Sequence, residues 1–413
     1  MTELHAAPSS TEAGARQDPP LFPFPVDPHV GIPAQYAERR ATCPFGKVRL
    51  PSGDEAVLLV TYRDSAAALA DTRLSHDLTA PGSPRVTAGP SFFDDPESLL
   101  NKEGEEHLRI RRIVASAFTP RRIERWKPTI AAVAGELIDT MERTGPPADL
   151  VADYCFQLPV RIICKLLGVP ERDLGLFRDW SNAFVSAARM EQQERGRLIR
   201  EFSGYTARLL AAKRAEPGED LIDDLIAARD GADRLTESEL VYMVAGLIAA
   251  GNETTSNMLG RSVLTLLRDG GGLWQRLVDD PGLIPAAVDE LLRYNPLGNG
   301  GALRLAVEDV ELPSGTVHAG DAVLIATSSA LRDELAYPDP DTVAFDREPP
   351  AQIVFGAGPH YCLGAHLAKA ELRIGLGLLT ERLPGLRLAA DPHTLSYTEG
   401  EVLSSLVSLP VSW

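Results

Sequence analysis

The sequence predicts a mainly α-helical protein with small β-sheets, an α+β fold. Apolar residues recur at helical spacing after residue 60, as in segments 221–229, 286–293 and 367–379. Short apolar runs that flank turn residues predict few strands, with hairpins at 48–61 and 310–317. No linker rich in Pro, Gly and Ser divides the 413 residues after residue 30, so we expect one continuous globular unit.

Composition narrows the class of protein. The net charge of −17 argues against general nucleic-acid binding, which needs a basic surface. The sequence has no apolar run long enough for a membrane span. Residues 1–20 have neither the basic nor the apolar region of a signal peptide, and we expect a disordered tail. The cysteines have no paired spacing, which predicts a reducing, cytoplasmic location; they are Cys43, Cys155, Cys164 and Cys362.

One long helix is predicted in the middle of the chain. Thr236 and Glu239 form a capping-box pattern, and the helical pattern continues to about Leu267. Its centre, residues 249–254, contains Gly251, which costs roughly 1 kcal/mol relative to Ala in a helix interior. The small side chains predict that something flat or small packs against this segment. Ordinary helix packing beside a satisfied acid and hydroxyl is the simpler explanation when the segment is taken alone.

Cys362 has the most informative sequence context. It follows Gly358 and His360, and it precedes Gly364 and a helical pattern. Backbone N–H groups at a helix N-terminus, together with a metal, stabilise a buried thiolate, so the pattern favours an axial sulfur ligand to haem iron. Two alternatives remain, an inert buried cysteine and a zinc site of His360, Cys362 and His366. A closed zinc site wants four ligands, and the sequence offers no second Cys or His pair nearby.

Charged residues form two further patterns. Glu290 and Arg293 have the i, i+3 spacing that usually marks a surface ion pair on a helix. Six arginines also fall within seventeen residues of this acidic chain: Arg109, Arg111, Arg112, Arg121, Arg122 and Arg125. The cluster is either a solvated helix face or a divided set, in which some arginines bind cofactor carboxylates and others dock an acidic electron donor.

Taken together, these motifs resemble the cytochrome P450 superfamily in its soluble bacterial type. Phe355, Gly358, His360, Cys362 and Gly364 match each fixed position of its cysteine-loop signature, Phe-x-x-Gly-x-(His/Arg)-x-Cys-x-Gly.

Two other segments carry the same resemblance. Residues 250–254 match the family's Ala-Gly-x-(Asp/Glu)-Thr segment, and Glu290, Arg293 and Arg347 match its buried triad. The resemblance runs from about residue 22 to the end of the chain and implies a single catalytic domain at 21–413. Gln352 and Leu331 stand where family members often have His and Asn, and neither position touches iron or oxygen.

The resemblance implies a cytochrome P450 fold, with a long central helix over haem b (iron protoporphyrin IX) and the cysteine loop beneath it. Cys362 is then the metal ligand. The implied cofactor-binding residues are His107, Arg111, Ala250, Gly251, Arg304, Phe355, His360, Cys362 and Gly364. Four of them, His107, Arg111, Arg304 and His360, would supply cations for the two haem carboxylates.

Glu253 and Thr254 are the implied catalytic residues. Splitting bound dioxygen needs protons in a site that otherwise excludes water, and the resemblance gives Thr254 a hydrogen bond to the oxygen and Glu253 a proton relay. Small residues near Asn299 predict a roomy pocket for a secondary metabolite of moderate size. The implied substrate contacts are Phe92, Phe93, Ala249, Asn299, Val402 and Leu403.

The resulting hypothesis is a monooxygenase, an oxidoreductase that acts on paired donors with O2 and inserts one oxygen atom into a C–H or C=C bond. Electrons would come from NAD(P)H through a ferredoxin and a ferredoxin reductase. The protein is expected to be a cytoplasmic monomer with no nucleic-acid or membrane partner. Oxidative C–C or C–N coupling of aromatic or indole substrates needs the same residues and stays open. A non-catalytic haem sensor is a third alternative, which would not need the Glu253–Thr254 pair.

Overall fold

Most of the chain is covered by the structure, a computed structural model. The described residues are 18–26, 31–86, 95–176, 180, 191–229, 235–295, 297–298, 300–348, 350–398 and 404–413. Residues 1–17 of the expected tail lie outside this set. Pro20 differs from the expectation, because its carbonyl accepts a hydrogen bond from the Arg49 amide at 2.9 Å and so belongs to a sheet edge.

Helices dominate the described residues, as predicted. They are α1 (Ala34–Thr42), α2 (Tyr62–Ala70), α3 (Gly104–Ala115), α4 (Pro120–Thr144), α5 (Gln157–Leu167), α6 (Gln192–Ala215), α7 (Leu221–Arg229), α8 (Glu237–Leu267), α9 (Gly272–Asp279), α10 (Ile284–Tyr294), α11 (Thr327–Ala330) and α12 (Ala365–Arg382). The three segments with helical periodicity are confirmed, since they coincide with α7 or fall inside α10 and α12.

The strands are short. They are β1 (Phe45–Arg49), β2 (Glu55–Leu59), β3 (Leu74–Ser75), β4 (Ala148–Asp149), β5 (Ala302–Ala306), β6 (Val310–Leu312), β7 (Gly315–Val317), β8 (Ala322–Ile325), β9 (Arg387–Leu388) and β10 (Pro410–Ser412). Both predicted hairpins are confirmed, β1 with β2 and β6 with β7. The first begins earlier than predicted, and Leu50 lies in its turn.

Sheet pairing brings distant segments together. The largest sheet has the order β1-β2-β8-β5-β3, in which β2 and β8 are parallel. Ser75 of β3 pairs with Leu305 of β5, so the residue after β3 lies beside Arg304. A second sheet, β4-β10-β9, joins residues 148–149 to residues 410–412.

Helix α8 is the central helix of the predicted fold. Its capping box is confirmed, since the Thr236 hydroxyl accepts from the Glu239 amide at 3.1 Å and the Glu239 carboxylate accepts from the Thr236 amide at 2.7 Å. The helix packs against α5, α6 and α12, and buried residues lie on most of its surface. Of the helices that the structure describes, none is both long and apolar enough to cross a membrane.

A buried ion network holds the segment that leads to Cys362. The Arg293 guanidinium donates to both oxygens of Glu290 at 2.8 and 2.7 Å, and Arg347 donates to the same carboxylate at 3.1 Å. Arg293 and Glu290 are almost fully buried, so the pair is not the surface ion pair that its spacing alone suggests. Carbonyl groups of Leu331, Pro340 and Thr342 accept the remaining Arg293 protons, so each N–H group of the buried guanidinium has a partner.

Candidate active site

The cysteine loop presents the Cys362 sulfur at the start of α12. The Cys362 amide donates to the Phe355 carbonyl at 2.8 Å and closes the loop. Gly358 has a φ of +68°, and a Cβ on it would lie 3.1 Å from the Ala70 Cα of α2. Glycine is therefore required here both by conformation and by close packing.

The environment of the Cys362 sulfur is mixed. Protein encloses the thiol on one side while the residue keeps accessible surface on the other. Burial raises the pKa of the thiol, whereas the amides of Gly364 and Ala365 and the charge of Arg111 lower it. The net effect of the protein groups leaves the sulfur protonated near neutral pH. The two amides and Arg111 would stabilise the thiolate that a bound metal ion would generate.

Three imidazole rings stack beside this loop. The centroid of the His360 ring lies 4.1 Å from that of the His107 ring and 3.6 Å from that of the His76 ring. Burial lowers the pKa of His360 to about 3 and that of His76 to about 2, and it also lowers the pKa of His107. In the protein without its cofactor, burial therefore favours neutral His107 and His360 rings that offer N–H donors. Their pairing with the haem carboxylates stays a prediction.

Two arginines carry the positive charge next to the stack. Arg304 is 9% exposed, and burial lowers its pKa to about 10, so it stays charged at neutral pH. Its charge lowers the pKa values of His76 and His360, which shows that it faces both rings. Arg111 donates to the Tyr361 carbonyl inside the cysteine loop.

Phe355 and Gly364 lie on either side of Cys362 in the sequence. The Phe355 ring is half-buried, packs edge-on against Tyr361 with centroids 6.3 Å apart, and lies 5.8 Å from the Lys369 ammonium. Gly364 has an ordinary φ of −85° and caps α12, and a Cβ there would meet no described atom within 4 Å. Conformation thus does not require glycine at 364, and its assignment as a cofactor contact stays a prediction.

The two small residues of α8 that were predicted to contact a flat group, Ala250 and Gly251, have different surroundings. A Cβ on Gly251 would lie 3.3 Å from Ile163 Cγ1, so packing against α5 accounts for this glycine. Its assignment as a cofactor contact stays a prediction. Ala250 is exposed although its neighbour Ala249 is only 7% exposed. The accessible face of this buried helix therefore contains Ala250.

Glu253 and Thr254 continue this segment of α8. The Thr254 hydroxyl donates to the Ala250 carbonyl at 2.8 Å, which fixes its rotamer. The Glu253 carboxylate accepts a hydrogen bond from the Ser405 hydroxyl at 3.0 Å. Both side chains are half-buried, so the acid and the alcohol sit at the boundary between protein and accessible space.

Five of the predicted substrate contacts cannot be placed. Phe92, Phe93, Asn299, Val402 and Leu403 lie outside the described residues, and Ala249 is the only predicted substrate contact inside them. Sequence reasoning also missed His76 and Ser405. Each reaches the site through pairing of segments far apart in the chain, for which a single sequence holds no local signal.

The residues present fit a haem group. His107 is 1% exposed, and its Nε2 is buried without a partner among the described atoms, so a ligand acceptor would satisfy it. Neutral imidazole donors, two guanidinium groups and a sulfur with amide donors match the carboxylates and iron of haem b. In the part of the chain that the structure describes, no three His, Cys, Asp or Glu side chains are grouped to hold a metal ion, and the zinc alternative gains no support.

These features define a class of protein, a haem-thiolate protein with an acid–alcohol pair on a central helix. The comparisons make the identification specific. A family model described as cytochrome P450 matches residues 278–383. A mycinamicin IV hydroxylase/epoxidase from Micromonospora griseorubida is 41% identical over 406 residues, which cover 96% of this chain and 99% of that protein. The chain belongs to the cytochrome P450 superfamily.

Solved structures agree with this identification. The cytochrome P450 hydroxylase of the leinamycin pathway of Streptomyces atroolivaceus S-140 has a TM-score of 0.88 at 40% identity, covering 95% of this chain and 100% of that one. Cytochrome P450mel with biaryl coupling reactivity has a TM-score of 0.85 at 33% identity, covering 93% and 97%. The protein is thus a haem b monooxygenase that uses O2 and takes electrons from redox partner proteins.

We expect Arg304→Leu to speed haem loss roughly tenfold or more, because a hydrogen bond to a charged group contributes about 1.5–3 kcal/mol. The measurement is the rate of haem transfer to excess apomyoglobin. Arg73→Leu is the control, since Arg73 precedes β3 and forms an exposed ion pair with Asp71 at 2.7 Å. Equal haem-loss rates for the Arg304 variant and the wild type would contradict the assignment.

Proposed function

We propose that this enzyme inserts one oxygen atom into a C–H or C=C bond of a secondary metabolite, using Glu253 and Thr254 to deliver protons. The observation that carries the proposal is the pairing of an accessible acid and alcohol on α8, the central helix that packs against the helix following Cys362. The hydroxylase/epoxidase of mycinamicin IV, at 41% identity over nearly the whole chain, supports the reaction class.

Haem, held by Cys362, supplies the binding and reduction of dioxygen. His107, His360, Arg111 and Arg304 would hold its carboxylates through imidazole N–H donors and two guanidinium groups. The Thr254 hydroxyl, which donates to the Ala250 carbonyl, would be the proton donor in the site, and Glu253 would pass protons from outside toward that hydroxyl. Half-burial of both residues limits water access to this path while leaving the carboxyl able to take protons from outside.

Oxidative coupling of aromatic substrates is the second candidate. This candidate is supported by the structural similarity to cytochrome P450mel, which has biaryl coupling reactivity. Product mass separates the two reactions, because insertion adds one oxygen atom and coupling removes two hydrogen atoms. Mycinamicin IV is the first compound to screen for a spin-state shift, since it is the substrate named for the 41% identical relative.

Electrons reach the enzyme, in this proposal, from NAD(P)H through a ferredoxin reductase and a ferredoxin that docks at the start of α4. Members of the arginine cluster have different surroundings. Arg109 pairs with Glu239 at 2.5 Å and Arg122 with Asp224 at 2.8 Å, while Arg121 and Arg125 are exposed in the first turns of α4. This basic surface on an acidic protein fits an acidic donor.

The proposal also includes one catalytic domain at 21–413 that acts as a cytoplasmic monomer. Pairing of β4 with β10 supports a single domain, because it joins the first half of the chain to its end. The four cysteines are unbridged, which agrees with a reducing compartment. Light scattering at the mass of one chain supports the monomer, and a mass of two chains would exclude it.

Thr254→Ala should divert electrons from product to hydrogen peroxide several-fold, because protons no longer reach the bound oxygen in order. The measurement is peroxide formed per NAD(P)H consumed. Thr206→Ala is the matched control, since Thr206 makes the same type of bond, to the Phe202 carbonyl at 3.0 Å, on α6. Unchanged coupling in the Thr254 variant would rule out the relay.

Arg125→Glu should raise the KM for ferredoxin about fivefold at low salt, and the effect should shrink as ionic strength rises. Arg387→Glu on β9 is the control. Helix α4 is about 37 Å long, and the sheet that contains β9 follows its far end. Equal KM changes in both variants would place the docking surface elsewhere.

A further inference from the structure

The C-terminal segment, residues 404–406, contacts α8 at Glu253. Ser405 is 9% exposed, and its hydroxyl donates to Glu253 Oε1 at 3.0 Å across 152 residues of sequence. The neighbouring Thr254 hydroxyl is bonded within α8 itself, to Ala250. The acid of the pair is therefore oriented by a different segment from the alcohol.

The Ser405 backbone is fixed by residues 397–398. Its amide donates to the Thr398 hydroxyl at 3.0 Å, and its carbonyl accepts from the Thr398 amide at 2.9 Å. Tyr397 and Leu406 form the adjacent β-bridge. The hydroxyl that meets Glu253 is thus carried by a backbone with little freedom to move.

Two side chains of α8, Asn257 and Arg261, hold the residue before Ser405, and we call this pair the clamp. The Ser404 carbonyl accepts from Arg261 Nε at 2.9 Å, from Arg261 Nη2 at 2.5 Å and from Asn257 Nδ2 at 3.1 Å. Burial lowers the pKa of Arg261 to about 10, so the guanidinium remains charged at neutral pH. The Ser404 amide donates to the Leu297 carbonyl at 3.0 Å, which ties a third segment to the clamp.

The clamp and the acid share one face of the helix. Glu253, Asn257 and Arg261 are spaced by four residues each, so their side chains stack along α8. Asn257 and Arg261 are 5% and 6% exposed, and their donors are directed to a main-chain carbonyl rather than to water. This arrangement fixes the distance between residues 404–405 and Glu253.

We propose that Ser405 is a positioning residue that holds the Glu253 carboxyl in its proton-delivering orientation, with the Asn257–Arg261 clamp setting the place of the hydroxyl. The proposal rests on the proton relay proposed above. A serine hydroxyl suits this role because it donates to a carboxylate and accepts from a carboxylic acid, so both protonation states of the relay group are satisfied.

Electron-driven oxygen consumption without added substrate tests the proposal. Oxygen leaves either as hydrogen peroxide, with two electrons and two protons, or as two water molecules, with four of each. Orderly protonation favours water. Ser405→Ala should raise the ratio of peroxide formed to oxygen consumed several-fold and change its solvent deuterium isotope effect. Ser405→Thr should give the wild-type peroxide ratio and isotope effect, because it keeps the hydroxyl. Ser396→Ala is the control, since Ser396 is exposed, and it should match the wild type.

A double-variant cycle separates this inference from the relay itself. Glu253→Gln combined with Ser405→Ala should raise the peroxide ratio no further than Glu253→Gln alone. A wild-type ratio in Ser405→Ala, with a raised ratio in Glu253→Gln, would overturn the role of Ser405 only. A wild-type ratio in both single variants would overturn the relay.

A crystal structure of haem-loaded Ser405→Ala gives a readout that does not depend on turnover. The Glu253 carboxyl should leave its position beside residue 405, and Ser405→Thr should keep it there. An unmoved carboxyl in the Ala variant would contradict the positioning role. Loss of folding in the Ala variant, with the Thr variant normal in every readout, would show that the hydroxyl acts in stability instead.

Discussion

The proposed chemistry depends on holding the Cys362 sulfur at the start of α12. Helix α10 anchors the segments on both sides of this residue. The Asp289 side chain binds Lys369 at 2.9 Å and Arg373 at 3.4 Å on α12, and its carbonyl accepts from Gln352 at 2.7 Å. Glu290 fixes Arg347, so two adjacent acids on α10 hold both sides of the cysteine loop.

Electrostatics around the cofactor site follow from burial. An acidic chain places the buried Arg304 and the half-buried Arg111 there, and burial favours the neutral form of three stacked imidazoles, which avoids gathering five like charges in one place. The neutral rings still donate hydrogen bonds. The site thus favours an anionic group with many acceptors, while its own positive charge is limited to the two guanidinium groups.

Local motifs were predictable from sequence because each is contiguous. The Thr236–Glu239 cap, the Glu290–Arg293 pair of α10 and the cysteine loop each lie within a stretch of ten residues or fewer. Strands such as β3, β4 and β9 are two residues long and have no periodicity to detect. His76 and Ser405 were missed because strand pairing and the clamp bring them in from far away. The packing of Gly251 against Ile163 could not be predicted from the sequence because Ile163 lies on another helix.

The absorption spectrum of the reduced, carbon-monoxide-bound protein tests the central claim, that Cys362 is the iron ligand, most directly. The account predicts a strongly red-shifted Soret band in the wild type and its loss in Cys362→Ala, with the band kept in Cys164→Ala, whose buried thiol lies on α5. A histidine-like band in folded, haem-loaded wild type, or a red-shifted band that survives in Cys362→Ala, would contradict the ligand assignment and each role built on it.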